Sequence, residues 1–476
     1  MEQYKLFELT FTGETPNGSQ AVIDLDAVFT WVSEDGKKEN KSVKGFYAGE
    51  GNYIVRFLPE MPGTYSWKVK GCITAEGSEE CTGKNNRHGI IRANGNHFEF
   101  SDKSIFLPVG TTIYALAHQE KTLIATTLET LKTAPFNKVR HCVFPKDYVY
   151  NHNEPELFAF EKNAEGKWDV NRPCYSFWEH LEQVIFSLAD MGIQSDVILF
   201  HPYDKWGFAH FSIEECKIYL DYLLRRFSAI PDVWWSMANE YDLMQSKSIQ
   251  DWYEIEEFIA KNDSFHHLLS NHNGHVFYDF TRPAITHCCV QSGQVELAAK
   301  WLEKYKKPLV YDECCYEGNI RHCFGNISGF EMVNRFWIAC VQGAYATHGE
   351  TFLSDDEVLW WSKGGVLKGE SPKRIAFLKD ILQELPVPVE PWPGDPPEGS
   401  ICGCCGNQVF LLYLARHCNG IVTWILPTDL TYRIDVIDVW EMTRKTVLTD
   451  INGTVDITLP GKEGIAVIAT ANQGKA

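Results

Sequence analysis

The sequence predicts an α/β protein: a (β/α)8 TIM barrel flanked by an N-terminal β-sandwich and a small C-terminal β-sandwich. Short alternating apolar and polar runs separated by Gly, Asn and Pro turns fill residues 4–95. From about residue 96 to 391, β-branched or aromatic runs recur eight times, mostly separated by amphipathic helical stretches. A Pro-rich segment, 386–397, then gives way to strand alternation again. The boundaries expected are 1–95, 96–391 and 392–476, as accessory sandwich, barrel and second β-module.

In the first module, Ala21-Val22-Ile23-Asp24-Leu25 and Tyr53-Ile54-Val55-Arg56-Phe57 alternate with period two, and Met61-Pro62-Gly63 turns the chain into a further alternating strand through Val69. In the barrel the eight strands fall at 106–118, 138–145, 194–202, 233–240, 268–273, 284–290, 308–315 and 344–352. Residues 177–191 and 213–227 carry helical periodicity. The gap after the fifth strand is too short for a full helix, and residues 146–173 form an irregular insertion of the kind that shapes a binding face. In the last module, 409–414, 421–425 and 465–469 alternate as strands.

Composition narrows the function. A formal charge of −19 repels phosphate backbones and anionic lipid surfaces, so neither a nucleic-acid nor a membrane partner is expected. The N-terminal segment lacks a basic stretch followed by an apolar run of export-signal length. Fifteen cysteines, with neighbours at Cys288-Cys289, Cys314-Cys315 and Cys404-Cys405, suit a reducing, cytoplasmic setting. The cluster Cys402-Gly-Cys404-Cys405 lacks a partner motif at zinc-finger spacing and reads as a strand start or turn. The 15 Trp, 20 Tyr and 28 Phe exceed ordinary core needs and suit the stacking of sugar rings. The expected partner is therefore an oligosaccharide or glycoside, without cofactor or metal, and with self-association left open.

Active sites of such barrels lie at the C-terminal ends of the strands. The predicted ends are strongly polar: His118; Arg140; His201 with Tyr203; Asn239 and Glu240; His272; His287; Glu313; His348 and Glu350. Unpaired polar groups cost desolvation, so this ring implies a polar pocket rather than a bare scaffold. Scattered histidines without His-x-His or His-Glu-x-x-His spacing favour hydrogen bonding to sugar hydroxyls over metal ligation. Arg140 is either an ion-pair partner that keeps Glu313 charged or a structural residue. Trp360 and Trp361 are candidate sugar platforms, although two adjacent residues of an extended segment cannot both face inward.

Two strand ends stand out: Val233-Trp-Trp-Ser-Met-Ala-Asn239-Glu240 and Pro308-Leu-Val-Tyr-Asp-Glu313. Here the chain resembles the clan A glycoside hydrolases, whose acid/base follows an Asn at the end of strand four and whose nucleophile ends strand seven. The resemblance implies that Asn239 binds the sugar 2-hydroxyl, Glu240 is general acid/base and Glu313 is nucleophile. The order of modules is similar to that of a bacterial family of candidate glycoside hydrolases flanked by domains of unknown function. Leu107-Pro-Val-Gly-Thr-Thr-Ile-Tyr-Ala-Leu116 is similar to the barrel opening of apiosidase-like and endoglucanase-like proteins. Gly343-Ala-Tyr-Ala-Thr-His-Gly349, followed by Trp360-Trp361, is similar to their eighth-strand loop, with Thr347-His348-Gly349 replacing their usual Thr-Tyr-Gly.

The chemistry expected is retaining hydrolysis of an O-glycosidic bond, with carboxyl groups ~5–5.5 Å apart and a Glu240 pKa raised by Glu313 and by partial burial. Asp312 and Glu317 are nearby alternatives to Glu313, but strand alternation turns Asp312 to the opposite face. The rival readings are a non-catalytic carbohydrate-binding protein on a degenerate barrel, against which both glutamates argue, and a metal-dependent barrel hydrolase or isomerase.

Overall fold

Nearly continuous apolar runs in the middle of the chain pair in parallel, as strands covered on both faces must. In the computed structural model, which describes residues 1–33, 36–83 and 85–472, these strands are Val109–Thr112, Lys138–Cys142, Gln194–Phe200, Val233–Ala238, Leu269–Ser270, Cys288–Gln291, Leu309–Glu313 and Tyr345–His348. Their order around the sheet is fifth, fourth, third, second, first, eighth, seventh, sixth, so the sheet curls into a barrel with a seam between the fifth and sixth strands.

Side chains stitch that seam. The Asn273 amide donates to the Gln291 carbonyl at 3.1 Å and accepts the Gln291 N–H at 3.0 Å, pairing as a neighbouring strand would. Ser270 adds a bond from its hydroxyl to the His287 carbonyl at 2.7 Å.

Helices Lys121–Leu131, Tyr175–Ala189, Ile213–Phe227, Ile249–Asn262, Ala298–Tyr305, Gly329–Val341 and Ser371–Gln383 follow every strand except the fifth, whose connection to the sixth runs without a helix. Reciprocal capping boxes start two of them, Ser212 with Glu215 and Ser248 with Asp251. The insertion after the second strand folds a hairpin from Phe160–Lys162 and Trp168–Pro173.

Two expected strands shift. The first is shorter than 106–118, because the chain turns into a 3-10 helix at Leu116–His118. The sixth begins at Cys288, later than the expected 284–290, since the apolar alternation starts in the connector, where the Thr286 N–H already bonds the Leu269 carbonyl.

A small antiparallel sheet, Ile91–Asn94, His97–Phe100 and Ile105–Phe106, closes the barrel at the N-terminal ends of the strands. Phe98 and Phe106 pack there with Trp234, Leu268, Val310 and Tyr345. The opposite end is left for the site.

The N-terminal sandwich stacks Phe46–Gly49, Asn52–Phe57 and Phe7–Thr12 against Lys38–Lys44, Leu25–Val32, Gly63–Gly71 and Ala75–Cys81. Leu25, Phe29, Val55 and Phe57 fill its core. It packs on the barrel through buried charge: Arg56 and Arg226 both bond Glu182, and the Arg56 guanidinium also donates to the Arg226 carbonyl at 2.7 Å. The C-terminal module pairs a six-stranded sheet with the two-stranded antiparallel sheet of Ile421–Leu426 and Gly453–Thr458. Tyr413 joins it to the barrel, donating to Asn334 at 2.9 Å. Cys402, Cys404 and Cys405 lie in its strand Ile401–Cys405, and all fifteen cysteines are free thiols.

Candidate active site

The fourth strand ends in an abrupt turn. Glu240 adopts φ 53°, a left-handed conformation that costs a non-glycine residue free energy and clusters at functional sites. That turn directs Asn239 and Glu240 together into the barrel mouth. Tyr203, from the loop after the third strand, donates its hydroxyl to Glu240 Oε2, while Gln291 Nε2 donates to Oε1 at 3.3 Å. Asn239 Nδ2 donates to Glu240 Oε2 at 3.3 Å.

On the seventh strand the pairing register slips: Val290 faces Tyr311, but Gln291 faces Glu313. The extra residue, Asp312, forms a β-bulge, a feature that re-aims side chains beside active sites. The expectation that alternation would turn Asp312 away therefore fails. Asp312 lies inside the barrel, where it accepts from Lys138 at 2.5 Å and from Thr347 at 2.8 Å. Lys138 also bonds Asp196 at 2.8 Å, and Arg140 stands within 3.8 Å of both aspartates, so a fully buried charge network supports the floor of the site. Asp312 is held there as an ion-paired carboxylate, unfit to act as an exchangeable acid.

Glu313 sits above this floor. The Tyr114 hydroxyl bonds both Glu313 Oε1 and, at 2.9 Å, Asn239 Oδ1. Arg140 Nη1 is 3.6 Å from the same Glu313 oxygen, and its Nη2 donates to Asn239 at 3.3 Å. A hydrogen-bonded chain thus runs Glu313, Tyr114, Asn239, Glu240 across the mouth. Burial, and next the Glu240 carboxylate, push Glu313 up to about 7, against the downward pull of Arg140, Tyr114 and Lys146. The repulsion between the two carboxyl groups is thus felt at Glu313. His272 lies 3.9 Å from Glu313, and burial with the Arg140 charge holds it neutral.

A pair of carboxyl groups at the ends of the fourth and seventh strands, one coupled to an Asn before the other, is what the family comparison then meets. The apiosidase-like catalytic domain matches residues 92–387. The chain belongs to the apiosidase-like family. Domains of unknown function, DUF5060 and DUF5605, match residues 1–71 and 399–470 of the same chain. A candidate glycoside hydrolase of Bacteroides vulgatus ATCC 8482 is 32% identical, covers 99% of each chain and superposes with a TM-score of 0.91. A glycoside hydrolase of family 5 from the same organism covers 82% of this chain and 95% of its own at 15% identity, with a TM-score of 0.65, a likeness of fold. No curated protein matches the chain. Among the described residues, no helix is long and apolar enough to cross a membrane.

Within this apiosidase-like domain, Glu240, Glu313, Asn239, Tyr203, Arg140, His272 and Trp361 converge at the mouth. Arg140 is fully buried and acts on Glu313 and Asn239 from below, out of reach of a sugar. The tryptophan pair divides. The Trp361 ring meets Tyr114 at 5.6 Å, Tyr148 at 5.3 Å and Tyr316 at 5.3 Å, whereas Trp360 is core, its Nε1 bonded to Thr111 at 2.8 Å. The helical turn Trp360–Lys363 rotates the two side chains apart.

Other strand-end candidates serve structure instead. His118 donates from Nε2 to the Val143 carbonyl at 3.0 Å and stacks on Phe177, and His201 donates likewise to the Phe144 carbonyl at 3.1 Å. Both pin loop backbone, and burial keeps them neutral, at about 4 and about 3. His287 precedes the sixth strand and packs on Trp234 and Phe98 at the closed end of the barrel. His348 points to the helical layer, stacked on Phe136 at 4.9 Å, with Nδ1 on Thr111. Glu350 accepts the N–H groups of Lys368 and Gly369. Glu317, His348 and Glu350 bring potential ligand atoms within 4.8 Å of one another, and among the described residues this group could hold a cation; it lies outside the mouth.

The strand-end reading missed Tyr114, Gln291, Tyr316 and Lys146. Gln291 was hidden by placing the sixth strand too early; Tyr114 lies just past the first strand, in the quoted opening segment. Tyr316 has a signal in Gly349, since a Cβ at that glycine would come within 2.0 Å of the Tyr316 ring.

Proposed function

We propose that this chain is a retaining glycoside hydrolase that cleaves O-glycosidic bonds of an oligosaccharide or plant-type glycoside, with Glu240 as general acid/base and Glu313 as nucleophile. The observation that carries this reading is the chain Glu313, Tyr114, Asn239, Glu240 at the ends of the fourth and seventh strands. Tyr114, Arg140 and Lys146 all favour negative charge on Glu313, which suits attack on the anomeric carbon. In this mechanism Glu240 delivers the proton to the leaving oxygen. Asn239 contributes by aligning both carboxyl groups, and its Nδ2 reaches toward the face where a sugar 2-hydroxyl would sit. The Trp361 ring would wall the sugar's apolar face. Fifteen free thiols support a cytoplasmic setting.

The test is a screen of nitrophenyl glycosides and plant oligosaccharides, apiosides included, with the anomer released first followed by proton NMR. Retention of configuration supports double displacement; inversion overturns it. Activity abolished by a chelator would favour the metal-dependent reading instead.

A further inference from the structure

Lys146, four residues beyond the second strand, holds a buried charge beside the two glutamates. It is 1% exposed, and among the described residues no carboxylate forms an ion pair with it. Its ammonium is faced by four rings instead: Nζ lies 3.4 Å from the Tyr114 ring centre, 4.3 Å from Tyr203, 4.7 Å from Tyr148 and 5.7 Å from Trp361. Its backbone is fixed, because Asn151 Nδ2 donates to the Lys146 carbonyl at 2.6 Å.

A buried cation without a counter-ion costs desolvation, and ring faces recover only part of that cost. Two of the rings belong to the phenols that donate to the proposed catalytic carboxylates, Tyr114 to Glu313 and Tyr203 to Glu240. A cation over a phenol ring draws electron density from the hydroxyl and makes its O–H a stronger donor, and hydrogen bonds in such a chain reinforce one another. One ammonium therefore stands behind both donors.

We propose that Lys146 is a positioning residue that lowers the proton affinity of Glu313 and Glu240 together, acting through Tyr114 and Tyr203; this rests on the glycosidase reading of the site. Other groups face the pair from each surrounding element. The second strand contributes Arg140, permanently charged, and the Cys142 thiol, which burial holds protonated. His272 beyond the fifth strand and His201 beyond the third are neutral. The phenols of Tyr148 and Tyr316 are pushed upward by burial and stay protonated. Lys146 and Arg140 are thus the cations that act on the pair from the second strand and the loop beyond it. Burial lowers the Lys146 pKa, and the Glu240 and Glu313 charges oppose that shift.

The experiment compares Lys146→Met, which keeps the apolar stem without charge, with Lys146→Arg, which keeps the charge. Carboxyl-13C glutamate NMR titration, with Glu240→Gln and Glu313→Gln to assign signals, reads the pair without needing turnover. Both carboxyl midpoints should rise by about one pH unit in Lys146→Met and stay near wild type in Lys146→Arg. The limbs of the kcat/KM profile should move to higher pH together. Unchanged midpoints with only a lower rate, or equal shifts in both variants, would overturn the proposal. If the methionine variant does not fold, Lys146→Gln carries the same comparison. Absence of any glycoside turnover in wild type would defeat the glycosidase reading, while the titration still decides the role of Lys146.

Discussion

Tyr203 follows the third barrel strand and Glu240 the fourth, yet the Tyr203 hydroxyl donates to Glu240 Oε2. A bond from a neutral donor to a charged group contributes about 1.5–3 kcal/mol. Tyr203→Phe should then lower kcat/KM by roughly 10- to 100-fold with the fold intact. Steady-state kinetics on the best substrate of the glycoside panel checks this, and a change below twofold would remove Tyr203 from the machinery.

The two glutamates should separate by leaving group. Glu240→Ala should slow substrates with poor leaving groups far more than activated phenyl glycosides, which scarcely need protonation, and azide should restore turnover. Glu313→Ala should abolish both, since no glycosyl-enzyme can form. Equal losses for both substrate types in Glu240→Ala would reverse the assignment.

The position of Glu313, pushed up to about 7, has consequences of defined sign. As nucleophile it must be ionised, so kcat/KM should climb as pH rises through the region of 7. For stability the direction is opposite. A carboxyl whose folded pKa exceeds its unfolded value favours the fold at low pH, and that contribution is lost as pH rises from about 4.5 toward 7. Glu313→Gln should therefore stabilise the protein by about 1–3 kcal/mol at pH 8 and by little at pH 4.5, measured by thermal melting. Equal effects at both pH values would contradict the raised pKa.

Glu182 neutralises two buried guanidinium groups, Arg56 of the N-terminal sandwich and Arg226 of the barrel. Glu182→Gln leaves Arg226 without a carboxylate partner and Arg56 with Glu8 alone, and should cost about 3–5 kcal/mol. The guanidinium chloride midpoint reads this directly, and an unchanged midpoint would mean that the other contacts, such as Lys44 with Asp221 and Arg225 with the Ile23 and Gly45 carbonyls, hold the two modules together.

What could be read in advance follows from how each signal is encoded. The ends of the fourth and seventh strands were legible because an apolar run stops at a polar pair, as in Met237-Ala238-Asn239-Glu240. The helix Ile213–Phe227 was legible to the residue, its start marked by the Ser212 and Glu215 box. The β-bulge at Asp312 was not, because it depends on the register of a neighbouring strand far away in sequence. The histidines misled for a similar reason. A polar residue near a strand end can turn inward to the mouth, as His272 does, or spend its N–H on a loop carbonyl, as His118 and His201 do, and local pattern carries no sign for that choice.

A barrel joined all round by backbone hydrogen bonds tolerates almost any side chain at its joints. Here one joint is written in side-chain identity, in the amide of Asn273 against the backbone of Gln291, the residue that also bonds Glu240. A single codon change at Asn273 therefore removes both bonds that hold the Gln291 backbone beside the proposed acid/base, while the Ser270 bond across the same seam stays.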